Sequence, residues 1–156
     1  KLELKDEIAV ITLNRPHVMN ALNTQMRAEI TQAVTQYSKE ARVVVLTGEG
    51  KAFCSGQDLG DRQSVAQLDL ERTLRDEYEP MLYAIINCRV PTITALNGPA
   101  AGAGANLALA ADVVIGAKSS YLMQAFSKIG LIPDAGGSYI LPRVMGMAKE
   151  IGRAHV

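Results

Sequence analysis

The stretch Thr92-Ile-Thr-Ala-Leu-Asn-Gly-Pro-Ala-Ala-Gly-Ala-Gly-Ala-Asn-Leu-Ala-Leu-Ala-Ala-Asp-Val-Val-Ile115 decides the fold class. Thr92–Leu96 is a short β-prone run, and Asn97–Gly104 is a turn built from small residues. Ala105–Ala111 reads as a short helix packed closely on its neighbours, and Val113–Ile115 as another buried strand. Strand, helix and strand in that order predict an α/β protein.

The same alternation extends in both directions. Leu2–Lys5 and Ile8–Leu13 flank Asp6-Glu7 as a hairpin, and Asn14-Arg-Pro16 ends the second strand. A helix is capped by Asn23 or Thr24, with Met26, Ile30, Ala33, Val34 and Tyr37 on one face. Val43–Thr47 is a continuous apolar strand of the kind covered on both faces. Gly48–Arg62 is a Gly-rich polar loop, and a helical stretch over about Val65–Cys88 is expected to kink near Pro80. A last helix begins around Gly136, its length limited by Pro142.

Composition narrows the function classes. The chain has 156 residues, 48% hydrophobic, enough to bury a sizeable core. Sixteen Lys+Arg balance sixteen Asp+Glu, which argues against nucleic-acid binding through counterion release. No apolar run has the length of a membrane span. Cys54 and Cys88 form no CxxC and no disulfide framework, so a reducing, cytoplasmic setting is expected. There is no initiator Met and no signal-peptide pattern. Residues 151–156 resemble a translated sequencing adapter and are set apart as a non-native tail. Residues 1–150 are expected to form one domain, the N-terminal part of a longer enzyme whose fold this chain leaves incomplete.

Two glycine-rich loops, Gly48–Gly60 and Gly98–Gly104, each follow a buried strand and precede a helix. Such turns leave backbone N–H groups unpaired, which suits an anion. A P-loop fails because Ala103 stands where its second Gly belongs, and a dinucleotide fingerprint fails at Leu107. Two readings stay open: close helix packing, or an oxyanion hole with one N–H from each loop. Ser55 lies in Cys-Ser-Gly rather than Gly-x-Ser-x-Gly, and His17 is the only histidine before residue 151, so neither a Ser-His-Asp triad nor a His-rich metal site is expected.

Four ordered motifs carry a resemblance: Leu13-Asn-Arg-Pro16 with Asn20-Ala-Leu22; Ala52-Phe-Cys-Ser-Gly-Gln-Asp-Leu59; Asn97-Gly98 with Gly102-Ala-Gly104 and Asp112; and Gly130-Leu-Ile-Pro-Asp-Ala-Gly-Gly137. In these the chain resembles the enoyl-CoA hydratase/isomerase (crotonase) superfamily. The resemblance implies a spiral of ββα units, homotrimers or hexamers, and an acyl-CoA thioester as substrate. Coenzyme A would enter as part of that substrate, with no separate cofactor or metal. The thioester oxygen would be held by the Gln57 and Ala103 N–H groups. Val18, Met19, Ala21, Ser55, Asp58, Leu59, Gly102, Asn106, Phe126 and Ile129 would line the substrate site. Core packing is an equal alternative for Val18, Met19 and Ala21, and Asp58 has the alternative of an Asx-type bond in its own loop. Asp61 is a further candidate for binding substrate. Cys54 reads as a buried small hydrophobe, and Met145 and Met147 as packing residues.

Hydratases of this superfamily place glutamates where this chain has Asn106 and Phe126, neither of which transfers a proton at neutral pH. Asp134 is the acidic residue left in that neighbourhood. It reads either as a helix cap or as a general acid/base whose apolar neighbours raise its pKa. Gly56–Arg62 and Ala125–Asp134 are most similar to the ring-epoxide isomerase branch of phenylacetate catabolism. The expectation is an acyl-CoA isomerase with Asp134 as proton carrier. The alternatives are an enoyl-CoA hydratase and an inactive acyl-CoA-binding fragment.

Overall fold

The computed structural model describes residues 1–60, 69–147 and 149. Its main sheet contains β1 (Leu2–Lys5), β2 (Ile8–Leu13), β3 (Val43–Gly48), β4 (Thr92–Leu96) and β6 (Val113–Gly116), in that spatial order. β1 is antiparallel to β2, and every later pair is parallel. Asp6 and Glu7 both have positive φ, the backbone of a two-residue hairpin turn whose twist matches the strands it joins.

A second, smaller layer is built from short strands. β5 (Ala100–Ala101) pairs with β7 (Leu122–Met123), Cys54 bridges to Ala100, and Leu22 bridges to Gln57. Each turn of the chain therefore contributes a long strand, a short second-layer segment and a helix. The helices closing the four turns are α1 (Thr24–Tyr37), the helical run from α2 (Leu70–Thr73) to α3 (Glu79–Ile86), α4 (Ala103–Leu109) and α5 (Gly137–Met145). This is the expected spiral of ββα units.

Two asparagines stitch successive turns together. Asn20 has no exposed surface; it accepts from Arg15 N and donates to Glu49 O and Ala52 O. Asn97 accepts from Gly48 N and donates to Gly50 O. Asp112 fixes the start of β6 against β4 by accepting from Thr92 N and Thr92 Oγ1.

α1 forms as its sequence predicts. Asn23 Oδ1 accepts from Met26 N, and Met26, Ile30 and Val34 face the core with Leu46, Phe53 and Met81. Residues 65–68 of the second helical stretch lie outside the described residues. The rest is irregular before Pro80 rather than at it: Leu74–Tyr78 forms a π-turn, and Pro80 sits in the first turn of α3. Pro80 offers no N–H to the Asp76 carbonyl four residues back, and its ring crowds that turn, which widens.

Three sequence expectations are corrected. Val113–Ile115 is a strand but not a buried one, since all four residues of β6 are exposed and Ile115 is 61% exposed. β6 is an edge strand of the described sheet, at the end opposite β1. α4 begins at Ala103, two residues early, because Gly102 adopts a backbone (φ 52, ψ −126) open to glycine and launches the helix directly. α5 runs through Pro142 to Met145 and stops at Gly146. No described helix is long and apolar enough to cross a membrane.

Candidate active site

The two N–H groups expected to hold the thioester oxygen come from neighbouring segments of the second layer. Leu22 donates to Gly56 O and accepts from Asp58 N, at 2.7 and 3.1 Å. In a parallel bridge of this kind the intervening residue turns its own N–H and C=O the other way, so Gln57 N–H faces away from Leu22. Ala103 N–H is the first of α4 and has no carbonyl of its own helix to reach. Neither N–H donates a hydrogen bond to any described residue.

Gly56 brings the two segments together. A Cβ there would stand 2.8 Å from Ala101 O and 3.4 Å from Ala103 N, and its φ of +96° favours glycine. The Phe126 ring tip lies 3.7 Å from where a Cβ on Gly102 would be, so this buried ring forms an apolar wall beside the second donor.

Asp134 precedes two residues of positive φ, Ala135 (φ 45), where a side chain makes this backbone costly, and Gly136 (φ 80). It does not cap α5 with its side chain. Gly136 occupies the cap position, and Gly137 N donates to the Asp134 main-chain oxygen over 2.8 Å. Asp134 Oδ1 is buried and accepts no hydrogen bond from the described residues. Burial pushes its carboxyl above the usual carboxylate value, an effect that its own main-chain N–H partly offsets.

Asn106 sets where Asp134 stands. It has no exposed surface and donates to Asp134 O over 2.7 Å, while its Oδ1 accepts from Gln124 Nε2 over 2.8 Å. Gly137 presses on it, for a Cβ at 137 would lie 2.5 Å from Asn106 Nδ2. Both ends of the Asn106 amide are thus engaged within the protein, one on Asp134 O and the other on Gln124 Nε2.

The other expected lining residues divide by exposure. Leu59, Ile129 and Met19 are largely exposed, Val18 is half-buried and Ala21 is buried. The Ser55 hydroxyl donates to Val18 O, so Ser55 holds the Pro16–Val18 turn against the Gln57 loop. Asp58 makes the Asx-type bond in its own loop, Oδ1 accepting from Gly60 N, and its Oδ2 pairs with Arg15 Nη1 at 2.6 Å. Asp61 lies outside the described residues. Cys54 is buried, its thiol pushed up to about 12 by burial.

Sequence reading missed Arg27 and Tyr78. Arg27 is 2% exposed and pairs with Glu77 at 2.5 Å. Its Nη1 donates to Gln57 Oε1 over 3.0 Å, and the Tyr78 hydroxyl donates to the same oxygen over 2.5 Å. Burial raises the Tyr78 phenol, Arg27 opposes that, and the nearby Asp134 carboxylate adds to it. The signal for Arg27 was its spacing: it stands three and seven residues before Ile30 and Val34, on the buried face of α1.

The sequence profile of the enoyl-CoA hydratase/isomerase family matches residues 3–152, and the chain belongs to that family. It is 60% identical over 154 residues to a Rhodobacter capsulatus protein named "Probable enoyl-CoA hydratase", covering 99% of this chain and 60% of that one. It is 43% identical over 152 residues to the 1,2-epoxyphenylacetyl-CoA isomerase of Escherichia coli, covering 94% and 58%. Among solved structures, an enoyl-CoA hydratase from Polaromonas sp. JS666 superimposes with a TM-score of 0.88 at 33% identity, covering 96% of this chain and 60% of that one. The chain therefore spans about three-fifths of the length of these relatives.

Proposed function

We propose that the protein is an acyl-CoA isomerase that moves a double bond, or rearranges a ring epoxide, without adding water. One observation carries the proposal. Among the described residues, Asp58 is paired with Arg15 and Glu77 with Arg27, while Asp134 has no ion pair and has its pKa raised by burial. A carboxyl in that condition is suited to taking a proton and giving it back.

For a 3-enoyl-CoA, Asp134 takes a proton from C2, and the electron pair delocalises onto the thioester oxygen as a dienolate. Gln57 N–H and Ala103 N–H stabilise that oxygen. Asp134 returns the proton at C4, and the double bond ends between C2 and C3. Atoms and charge balance with no water consumed. In the ring-epoxide reaction the substrate rearranges to an oxepin, again an isomer. The Escherichia coli relative's name and the lack of a carboxylate at Asn106 and Phe126 support this class. Assembly as a homotrimer or hexamer and a cytoplasmic location fit the same reading, the latter with the unpaired Cys54 and Cys88.

The second reading is an enoyl-CoA hydratase, favoured by the name of the Rhodobacter capsulatus relative. The two part in one experiment. A 3-enoyl-CoA and a 2-enoyl-CoA are incubated with the full-length protein in heavy water and the products are weighed by mass spectrometry. Double-bond migration without gain of water is expected, and a 3-hydroxyacyl-CoA product would replace the isomerase with a hydratase.

A further inference from the structure

We infer that Arg27 and Tyr78 are positioning residues that act through the Gln57 side chain to fix the Gln57 N–H toward the substrate oxygen. This rests on the isomerase reading, and it adds residues that the reading does not use.

A lone Arg at a core position is costly to bury, and an apolar residue of similar size is often neutral or better for stability. Here the guanidinium is almost fully buried, and apart from one bond within its own helix, from Nη2 to Thr24 Oγ1 over 3.2 Å, its contacts lead to the first loop or its support. Nη1 donates to Leu22 O over 2.7 Å, the same carbonyl that receives Asp58 N. Nη1 also donates to Gln57 Oε1, and Nε and Nη2 hold Glu77 Oε2. The guanidinium carbon lies 4.7 Å from the centre of the Tyr78 ring.

Gln57 Oε1 is thereby given two donors, one for each lone pair. Gln57 Nε2 reaches only its neighbour's carbonyl, Asp58 O, over 3.3 Å. The side chain is held at its oxygen, and the bridge to Leu22 holds the backbone on either side. Together they fix the rotation of the 56–57 peptide plane, which is the one freedom that aims Gln57 N–H.

The π-turn supplies the other half of the clamp. Leu74–Tyr78 is wider than an α-helical turn, a variant that recurs at functional sites. It ends on Glu77 and Tyr78, both directed at Arg27. α1, the π-turn and the first glycine-rich loop thus meet at one amide oxygen, with the Asp134 carboxylate near enough to act on Tyr78.

The test follows enolate formation by α-proton exchange, using the full-length protein and a saturated acyl-CoA in heavy water. Tyr78→Phe removes only the hydroxyl, and Gln57→Met removes the acceptor while keeping the length of the side chain. Each is expected to lower the kcat for exchange about ten- to a hundredfold, the scale of a small misplacement, with KM nearly unchanged. The double variant is expected to lose no more than the worse single one, because both cut the same link. A residue that serves stability alone would lower the melting temperature without this split or this non-additivity. Wild-type exchange rates in both single variants, or losses that multiply in the double, would overturn the inference and leave the isomerase reading standing. Failure of the wild-type protein to move the double bond of a 3-enoyl-CoA or to exchange its C2 proton would sink the reading itself, and the inference with it.

Discussion

The Asn106 side-chain amide donates to the main-chain oxygen of Asp134 over 2.7 Å, so a residue with no exposed surface decides where the proposed proton carrier stands. The link joins α4, which begins at the Ala103 donor, to the segment that presents the carboxylate. Donor and acid/base group are thus referenced to one helix.

Replacing Asn106 with Leu keeps the shape and removes both hydrogen bonds. It leaves Asp134 O without its amide donor and strands Gln124 Nε2, so stability should fall by about 1–3 kcal/mol. Turnover should fall further than the folded fraction does. Urea denaturation alongside steady-state kinetics would separate the two.

Asp134→Asn should move activity and stability in opposite directions. Turnover is lost with the proton carrier. Stability at pH 7 should rise, because the native state no longer holds a buried, unpaired charge. The sign follows from linkage: a carboxyl whose pKa is raised by folding binds more protons in the native state, so its ionisation destabilises as pH rises through that window. The gain should shrink as pH is lowered toward the ordinary aspartate value of 3.8. Thermal melts of both proteins at several pH values would show it, and a uniform offset at every pH would contradict it.

The same shift governs catalysis. A base must be ionised, so kcat/KM should climb with pH through a limb lying above the ordinary aspartate value of 3.8. An acid limb at or below that value would assign the proton transfer to another group.

Gly56→Ala tests the meeting of the two loops. The new methyl would lie 2.8 Å from Ala101 O on a backbone with φ +96°. Steric overlap and strain together should cost about 1–3 kcal/mol. Activity should be lost even where the variant folds, since the methyl enters the gap beside Ala103 N. Circular dichroism with the exchange assay would tell folding loss from loss at the site.

The cysteines should differ in reactivity. Cys54 is buried with its thiol pushed up to about 12, whereas Cys88 is half-buried. Alkylation at pH 8 followed by peptide mass mapping should label Cys88 first, and Cys54 only under denaturing conditions.

Much of the fold is written locally. Asn23 followed by Met26, Ile30 and Val34 announces α1, and the run Thr92–Gly104 announces strand, second-layer turn and helix start, because caps, periodicity and glycine turns act over a few residues. The four motifs also single out Gln57, Ala103 and Asp134, the residues on which the proposed function rests. What the sequence hid depends on distant partners. The exposure of β6 reflects what lies beside it, not its own apolar residues. The charge on Arg27 is tolerable only because Glu77, Tyr78 and Gln57, 30 to 51 positions away, converge on it. Asn106 looked like a substituted catalytic position, and its bond to Asp134 O spans 28 residues that no local pattern connects.

The parallel bridge between Leu22 and Gln57 leaves its mark on how such a protein can change over generations. The groups that it and the Gly102 turn present, and that the proposal assigns to the substrate oxygen, belong to the peptide chain, and every residue except proline brings the same N–H. Ordinary substitutions at positions 57 and 103 therefore retune this half of the site without deleting it, while positions 106, 126 and 134 differ through their side chains alone. On the proposed function, a lineage with this division can exchange one reaction for another at a few side chains and keep its hold on the thioester throughout.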